Sequence, residues 1–188
     1  MIRTKLLAAA ALATLAVSAP AFAQPAPDAV GHVDVFGSVA GRCLFTTPSA
    51  VINLGELSIQ GAAANAGQVD PAKVNAGHAT LNGWCNGAPA TMRVETFALV
   101  DTSYVLSPPT GFDRVINYTA TASNGAAAPF DDSLSPGPGA PVTVGIFAHD
   151  IDVQLSAPST PNNGRLIAGS YQGQVVVTLS PNVVLNNQ

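Results

Sequence analysis

Charge is scarce in this sequence. Asp, Glu, Lys and Arg make up 10% of its 188 residues, against roughly 25% in an average soluble domain, so the surface has to be built from Thr, Ser, Asn, Gln and Gly. Lys and Arg are fewest, seven in all, and two of these, Arg3 and Lys5, fall in the opening residues. The other five (Arg42, Lys73, Arg93, Arg114, Arg165) are dispersed. Without clustered cations there is no electrostatic footprint for nucleic acid. Aromatic residues account for 6% and form no series of platforms on which a polysaccharide would stack. His32, His78 and His149 are the three histidines, and they fall at no ligand-like spacing.

The opening residues hold a basic stub, an apolar run from Leu6 to Val17, and a small-residue stretch ending Ala21-Phe22-Ala23. This is the pattern of a secretory signal peptide with an A-x-A cleavage site, so residues 1–23 are expected to be removed and Gln24 to begin the mature chain. The run is well short of the roughly 20 apolar residues that cross a bilayer, so no membrane span is expected after cleavage. Cleavage leaves all eleven acidic residues and five of the seven basic ones, which moves the formal net charge from −4 to five minus eleven, or −6. The remaining length suits one domain with a sizeable core. Cys43 and Cys85, the two cysteines, are expected to pair in an oxidising compartment. The rivals are a metal site, which needs two further ligands, and a catalytic thiol.

Period-two alternation dominates the rest. Val33, Val35, Gly37 and Val39 share one face of an expected strand, with Asp34, Phe36 and Ser38 on the other. A short strand is expected over Val51 to Leu54, then a Gly/Ala/Asn loop from Gly61 to Gly67. Ala79 to Cys85 and Thr91 to Leu99 follow, separated by the turn signal Asn86-Gly87. Met92, Val94, Thr96 and Ala98 face one way, Arg93 and Glu95 the other. Arg114 to Ala122 repeats the device with Ile116, Tyr118 and Ala120 inward. After the Pro/Gly loop Ser135 to Pro141, two short runs, Val142 to Phe147 and Ile151 to Leu155, are expected to pair. Another loop spans Pro158 to Gly164. Tyr171, Gly173, Val175, Val177 and Leu179 line one face of what is expected to be the longest and cleanest strand, which Pro181 ends. No segment carries convincing helical spacing. Short strands between Gly/Pro/Asn turns predict an all-β fold, an immunoglobulin-like antiparallel β-sandwich of Greek-key type, with Trp84 against the disulfide.

Chemistry-bearing patterns are weak. Gly169-Ser170-Tyr171-Gln172-Gly173 puts serine second rather than third and precedes a strand, so it reads as a turn rather than a nucleophile elbow. In His149-Asp150-Ile151-Asp152 the two aspartates share a face and His149 points away, which predicts a solvated strand edge rather than a metal corner. Asp131-Asp132 reads as a turn, since no spaced carboxylates of a calcium loop accompany it. Asn117-Tyr118-Thr119 matches a glycosylation acceptor but falls inside a predicted strand. The expectation is a protein with no catalytic residue, no metal site and no cofactor.

The order of features resembles a known family. His32-Val33-Asp34-Val35-Phe36-Gly37-Ser38-Val39 leads to Cys43, then come Asn53-Leu54-Gly55, a strand ending at Cys85, and a terminal strand introduced by Ala168-Gly169-Ser170-Tyr171. This is similar to chaperone-usher pilus subunits of the archaic branch, which includes spore coat protein U-like domains. The resemblance implies a pilin-like sandwich lacking its last strand, completed first by a periplasmic chaperone and then by the N-terminal extension of the next subunit. It implies residues 24–41 as extension and 42–188 as domain, with Val33, Val35, Gly37 and Val39 as the donor face. Tyr171, Val175, Val177 and Leu179 would form the terminal strand capped by the chaperone. Like subunits, a chaperone and an outer-membrane usher are the implied partners, and the implied path runs through the periplasm to the cell surface. The alternative is a self-contained secreted or periplasmic sandwich acting as a binding or adhesion module, with Pro181 to Gln188 supplying the missing strand in cis.

Overall fold

Side chains on successive strand residues point to opposite faces, so alternating sequences bury one face and leave the other to solvent. The computed structural model of the chain, which describes residues 28–182, shows this pattern in its main strands. The expected signal peptide, residues 24–27 of the extension and the end of the tail lie outside the described residues. Two bodies divide between Gly37 and Ser38 and are taken separately. In the first, residues 28–37 form no strand.

The second body contains, in chain order, β1 (Cys43–Thr47), α1 (Pro71–Asn75), β2 (His78–Cys85), β3 (Thr91–Asp101), β4 (Phe112–Asp113), β5 (Val115–Ser123), β6 (Phe130–Asp132), β7 (Val142–Thr143), β8 (Phe147–Ser159), β9 (Arg165–Leu166) and β10 (Tyr171–Ser180). The main sheet runs β1-β2-β8-β5-β3-β10, with β6 added to β5 and β7 to β3. Its pairings are all antiparallel. A small parallel pair, β4 with β9, stands apart. The protein is therefore all-β and antiparallel in its main sheet.

The core gathers the inward residues of four strands: Met92 and Val94 from β3, Tyr118, Ala120 and Ala122 from β5, Ile151, Val153 and Leu155 from β8, and Cys85 from β2. Cys43 and Cys85 are register partners and are joined by a disulfide. The helix α1 is brief. Asp70 caps it by accepting from Ala72 N at 2.9 Å, Pro71 supplies a preset first turn, and Val74 is fully buried.

Several sequence expectations are corrected. The two runs after the Pro/Gly loop do not pair with each other: β7 joins β3, and the second run belongs to β8, one strand of 13 residues laddered to β2 and β5. Ala157 takes a positive φ of 48° within the register shift between Asn117 and Thr119, so a bulge carries β8 through what the sequence marks as a loop. Asp150 and Asp152 are exposed on the outer face of this internal strand, where they accept from Asn82 Nδ2 and Thr80 Oγ1, rather than on a sheet edge. Asp131 sits in β6, buried, and accepts from Thr96 N at 2.7 Å. Trp84 precedes Cys85 on the same strand and so faces the other way, beside Leu44 and Ala148. The stretches at Val33 to Val39 and Val51 to Leu54 alternate like strands but carry no ladder.

Candidate functional site

The strand order has two ends, β1 and β10, each laddered on one side only among the described residues. They approach each other at Gly83. A Cβ there would lie 3.3 Å from Phe45 of β1, 3.4 Å from Leu179 of β10 and 3.0 Å from the Leu44 carbonyl oxygen. Glycine is what allows the seam to close at this point. Away from it the edges part around a groove of about 470 Å³, lined by Ile52, Leu54, Leu99, Val153, Val175 and Val177 among others. A second hollow of about 620 Å³ shares Ile52, Leu54 and Leu99 and reaches Leu57, Ile167 and Tyr171.

The free edge of β10 thus borders core side chains. Val175, Val177 and Leu179 are half-buried and pack on the core. Opposite them, residues 48–57 form no strand, yet Ile52 and Leu54 are half-buried while Val51 and Asn53 are exposed. Leu57 alone of these residues is held by a backbone bond, its carbonyl accepting from Asp70 N at 2.7 Å; the stretch before it, facing an unladdered edge, leaves rows of N–H and C=O groups open to a further strand.

Tyr118 forms part of the groove floor and is 4% exposed. Its hydroxyl donates to the Phe97 carbonyl at 2.9 Å and lies 3.4 Å from the Gln174 carbonyl, tying β5 to β3 and β10. Burial pushes its pKa up to about 12. Because the folded pKa lies above the unfolded value of about 10, the stabilising effect is complete below pH 10 and fades as pH rises through the folded value. Thermal unfolding followed from pH 8 to 12 is expected to show a melting temperature that falls above about pH 10, and Tyr118→Phe is expected to lessen that fall, the remainder coming from Tyr171, whose pKa burial also pushes up to about 12.

The far wall is fixed by two buried acids. Asp113, 2% exposed, accepts from Gly164 N at 2.7 Å, Asn162 Nδ2 at 2.8 Å and Asn162 N at 3.2 Å. Burial is the largest influence on its carboxyl and opposes ionisation. The hydrogen bonds from Gly164, Asn162 and Thr160 together outweigh it and hold the pKa below the usual value. Asp101 Oδ1 accepts from the Ser103 hydroxyl at 2.6 Å and Ser103 N at 2.9 Å. The Ser103 hydroxyl bond is the main reason that its pKa is also lowered, against the opposing effect of burial. The Asp101 carboxylate packs so closely on Gly169 that a Cβ there would overlap it. Tyr171, at the start of β10, donates to the Ile167 carbonyl at 2.8 Å and lies 3.3 Å from the Asp113 carbonyl.

No family model, curated protein or solved structure matches the chain. The site therefore stands on its geometry.

Of the residues singled out in the sequence, Cys43 and Cys85 are joined, and Val175, Val177, Leu179 and Tyr171 lie along the groove or its continuation. Val33, Val35 and Val39 are 88%, 89% and 85% exposed, and a Cβ at Gly37 would meet nothing within 4 Å. Phe45, Ile52, Leu54 and Tyr118 were not marked by the sequence as groove residues. The sequence signal for Ile52 and Leu54 is the alternation of Val51 to Leu54, and that for Tyr118 is its inward position in the expected strand Arg114 to Ala122. Among the described residues no three His, Cys, Asp or Glu side chains gather as metal ligands, and no helix is long and apolar enough to cross a membrane.

Proposed function

We propose that this protein is an exported structural subunit of a surface fibre, its immunoglobulin-like sandwich completed by a strand from a neighbouring copy. The observation that carries the reading is the apolar groove beside the unladdered edge of β10, where core residues such as Leu99, Val153 and Leu155 are reachable from outside. A strand added there would gain main-chain hydrogen bonds from the edge and pockets for alternate side chains. The chain carries a segment of matching pattern: Val33, Val35, Gly37 and Val39 alternate with polar or larger residues, and the valines are exposed. Leaving such an edge and such valines open in solution invites aggregation, which supports a periplasmic chaperone as temporary occupant and an outer-membrane usher as the site of exchange. The disulfide fits an oxidising compartment.

Deleting residues 24–39 tests the reading. The shortened protein is expected to fold, to stay monomeric, and to bind a peptide spanning Gly31 to Gly41. At a hundredfold excess over Kd, binding adds about 2.7 kcal/mol, or roughly 5–10 °C in Tm for a chain of this size. The same peptide carrying Val35→Asp is expected to give no shift. A shortened protein that folds but is deaf to the peptide supports the self-contained module instead, since the exposed, unladdered Val33 to Val39 contribute nothing to their own core.

A further inference from the structure

The root of the extension is held in a way that the groove does not require. Asn86 follows Cys85 at the end of β2, in a position the sequence marks as a simple turn, yet its side chain reaches across to the segment before β1. Its Nδ2 donates to the Ala40 carbonyl at 3.1 Å, its Oδ1 accepts from Arg42 N at 2.6 Å, and its own N donates to the Arg42 carbonyl at 3.0 Å. One side chain therefore brackets Gly41 from both sides. The next residue, Cys43, is tied covalently to Cys85. Ala40 and Arg42 through Cys43 are thus fastened to the end of β2.

We infer that the Asn86 bracket makes the junction between successive subunits a stiff one, so that Asn86 is a positioning residue for a second copy of this chain. The inference rests on the fibre reading. If Val39 is the last donor residue seated in a neighbour, Ala40, fixed to its own domain, is only about 3.8 Å further along the backbone. No slack remains between the two, and one domain follows the next at a set distance and angle. Removing the side chain frees residues 40 and 41, while the bond from the backbone N of residue 86 keeps hold of the Arg42 carbonyl. Two flexible residues have an end-to-end distance of about 5–6 Å times the square root of two, on the order of 8 Å of play at each junction. Gly41 adds backbone freedom once it is unpinned.

Asn86 is exposed and lies outside the groove, so replacing it leaves the donor and acceptor surfaces intact. Electron microscopy of fibres formed by the full-length protein and by Asn86→Ala measures the angle and spacing between neighbouring subunits. The expected result is fibres from both, with spacing in the variant spread by on the order of 8 Å and with an unchanged Tm for peptide-filled monomer. Asn86→Asp, which keeps the acceptor for Arg42 N but loses the donor to Ala40, is expected to fall between, and it stands in should Asn86→Ala fail to fold. Equal, narrow distributions in all three overturn the bracket while leaving the fibre reading intact. A wild-type protein that neither polymerises nor responds to the Gly31 to Gly41 peptide overturns the fibre reading, and the bracket with it.

Discussion

Replacing Cys43 and Cys85 together by serine lowers the unfolding free energy by about 4 kcal/mol, the value that the chain-entropy treatment gives for a closed loop of this length. The cross-link spans a sequence separation of 42 and joins β1, at one end of the strand order, to its one laddered neighbour among the described residues. A loss of that size is a large share of the roughly 5–15 kcal/mol that holds a domain together. Urea unfolding of the oxidised protein and the double variant measures it. Thiol labelling of the wild-type protein should find no free group before reduction and two after, in line with the absence of free cysteine. A loss under about 1 kcal/mol would mean that the β1–β2 ladder closes the loop unaided and that the unfolded reference is already compact.

Asp113→Ala is expected to be nearly as damaging, at about 3–4 kcal/mol, because it strands buried donors that now meet a charged acceptor. Gly164 is buried, and its N–H has no route to water once the carboxylate is gone. The acid limb of stability follows from the same contacts. The pKa values of Asp113 and Asp101 are lowered by folding, so both contribute stability above their unfolded value of about 3.9 and lose it as pH falls through the folded value. The melting temperature of the wild-type protein should be level from neutral pH down to about 5 and drop progressively below about 4. Asp113→Asn, lacking that charge, should start lower and fall less steeply. A variant whose acid limb parallels the wild type would show that Asp113 does not titrate there.

Much of this architecture could be read from period two. The strands β2, β3, β5 and β10 lie close to where alternation puts them, and counting cysteines identified the pair that is bonded. Alternation reports which face is buried, however, and says nothing about the neighbour. The partner of β7 and the continuity of β8 escaped for that reason: Ser156-Ala157-Pro158 has loop composition, and only the ladder to β5 shows a bulge. Asp113 escaped because its donors lie 49 and 51 positions away. Asn86 was legible as a turn but not as a bracket, since its partners precede it by 46 and 44 positions. The sequence also led to strands over Val33 to Val39 and Val51 to Leu54, where none is laddered. Both segments have the side chains of a strand, and what they lack is a backbone to pair with.

The strand order carries a kinetic consequence. Along β1-β2-β8-β5-β3-β10 only the first two neighbours are consecutive in the chain. Pairing strands that are far apart in sequence means that loop-closure entropy is lost before contacts reward it, which places such topologies among slow folders, in milliseconds to seconds. The last strand among the described residues, β10, pairs with β3, which is also laddered to β5 and β7. A chain emerging amino-terminus first therefore holds no finished sheet until its final strand is free, and every earlier fragment exposes unpaired edges for the whole of that interval.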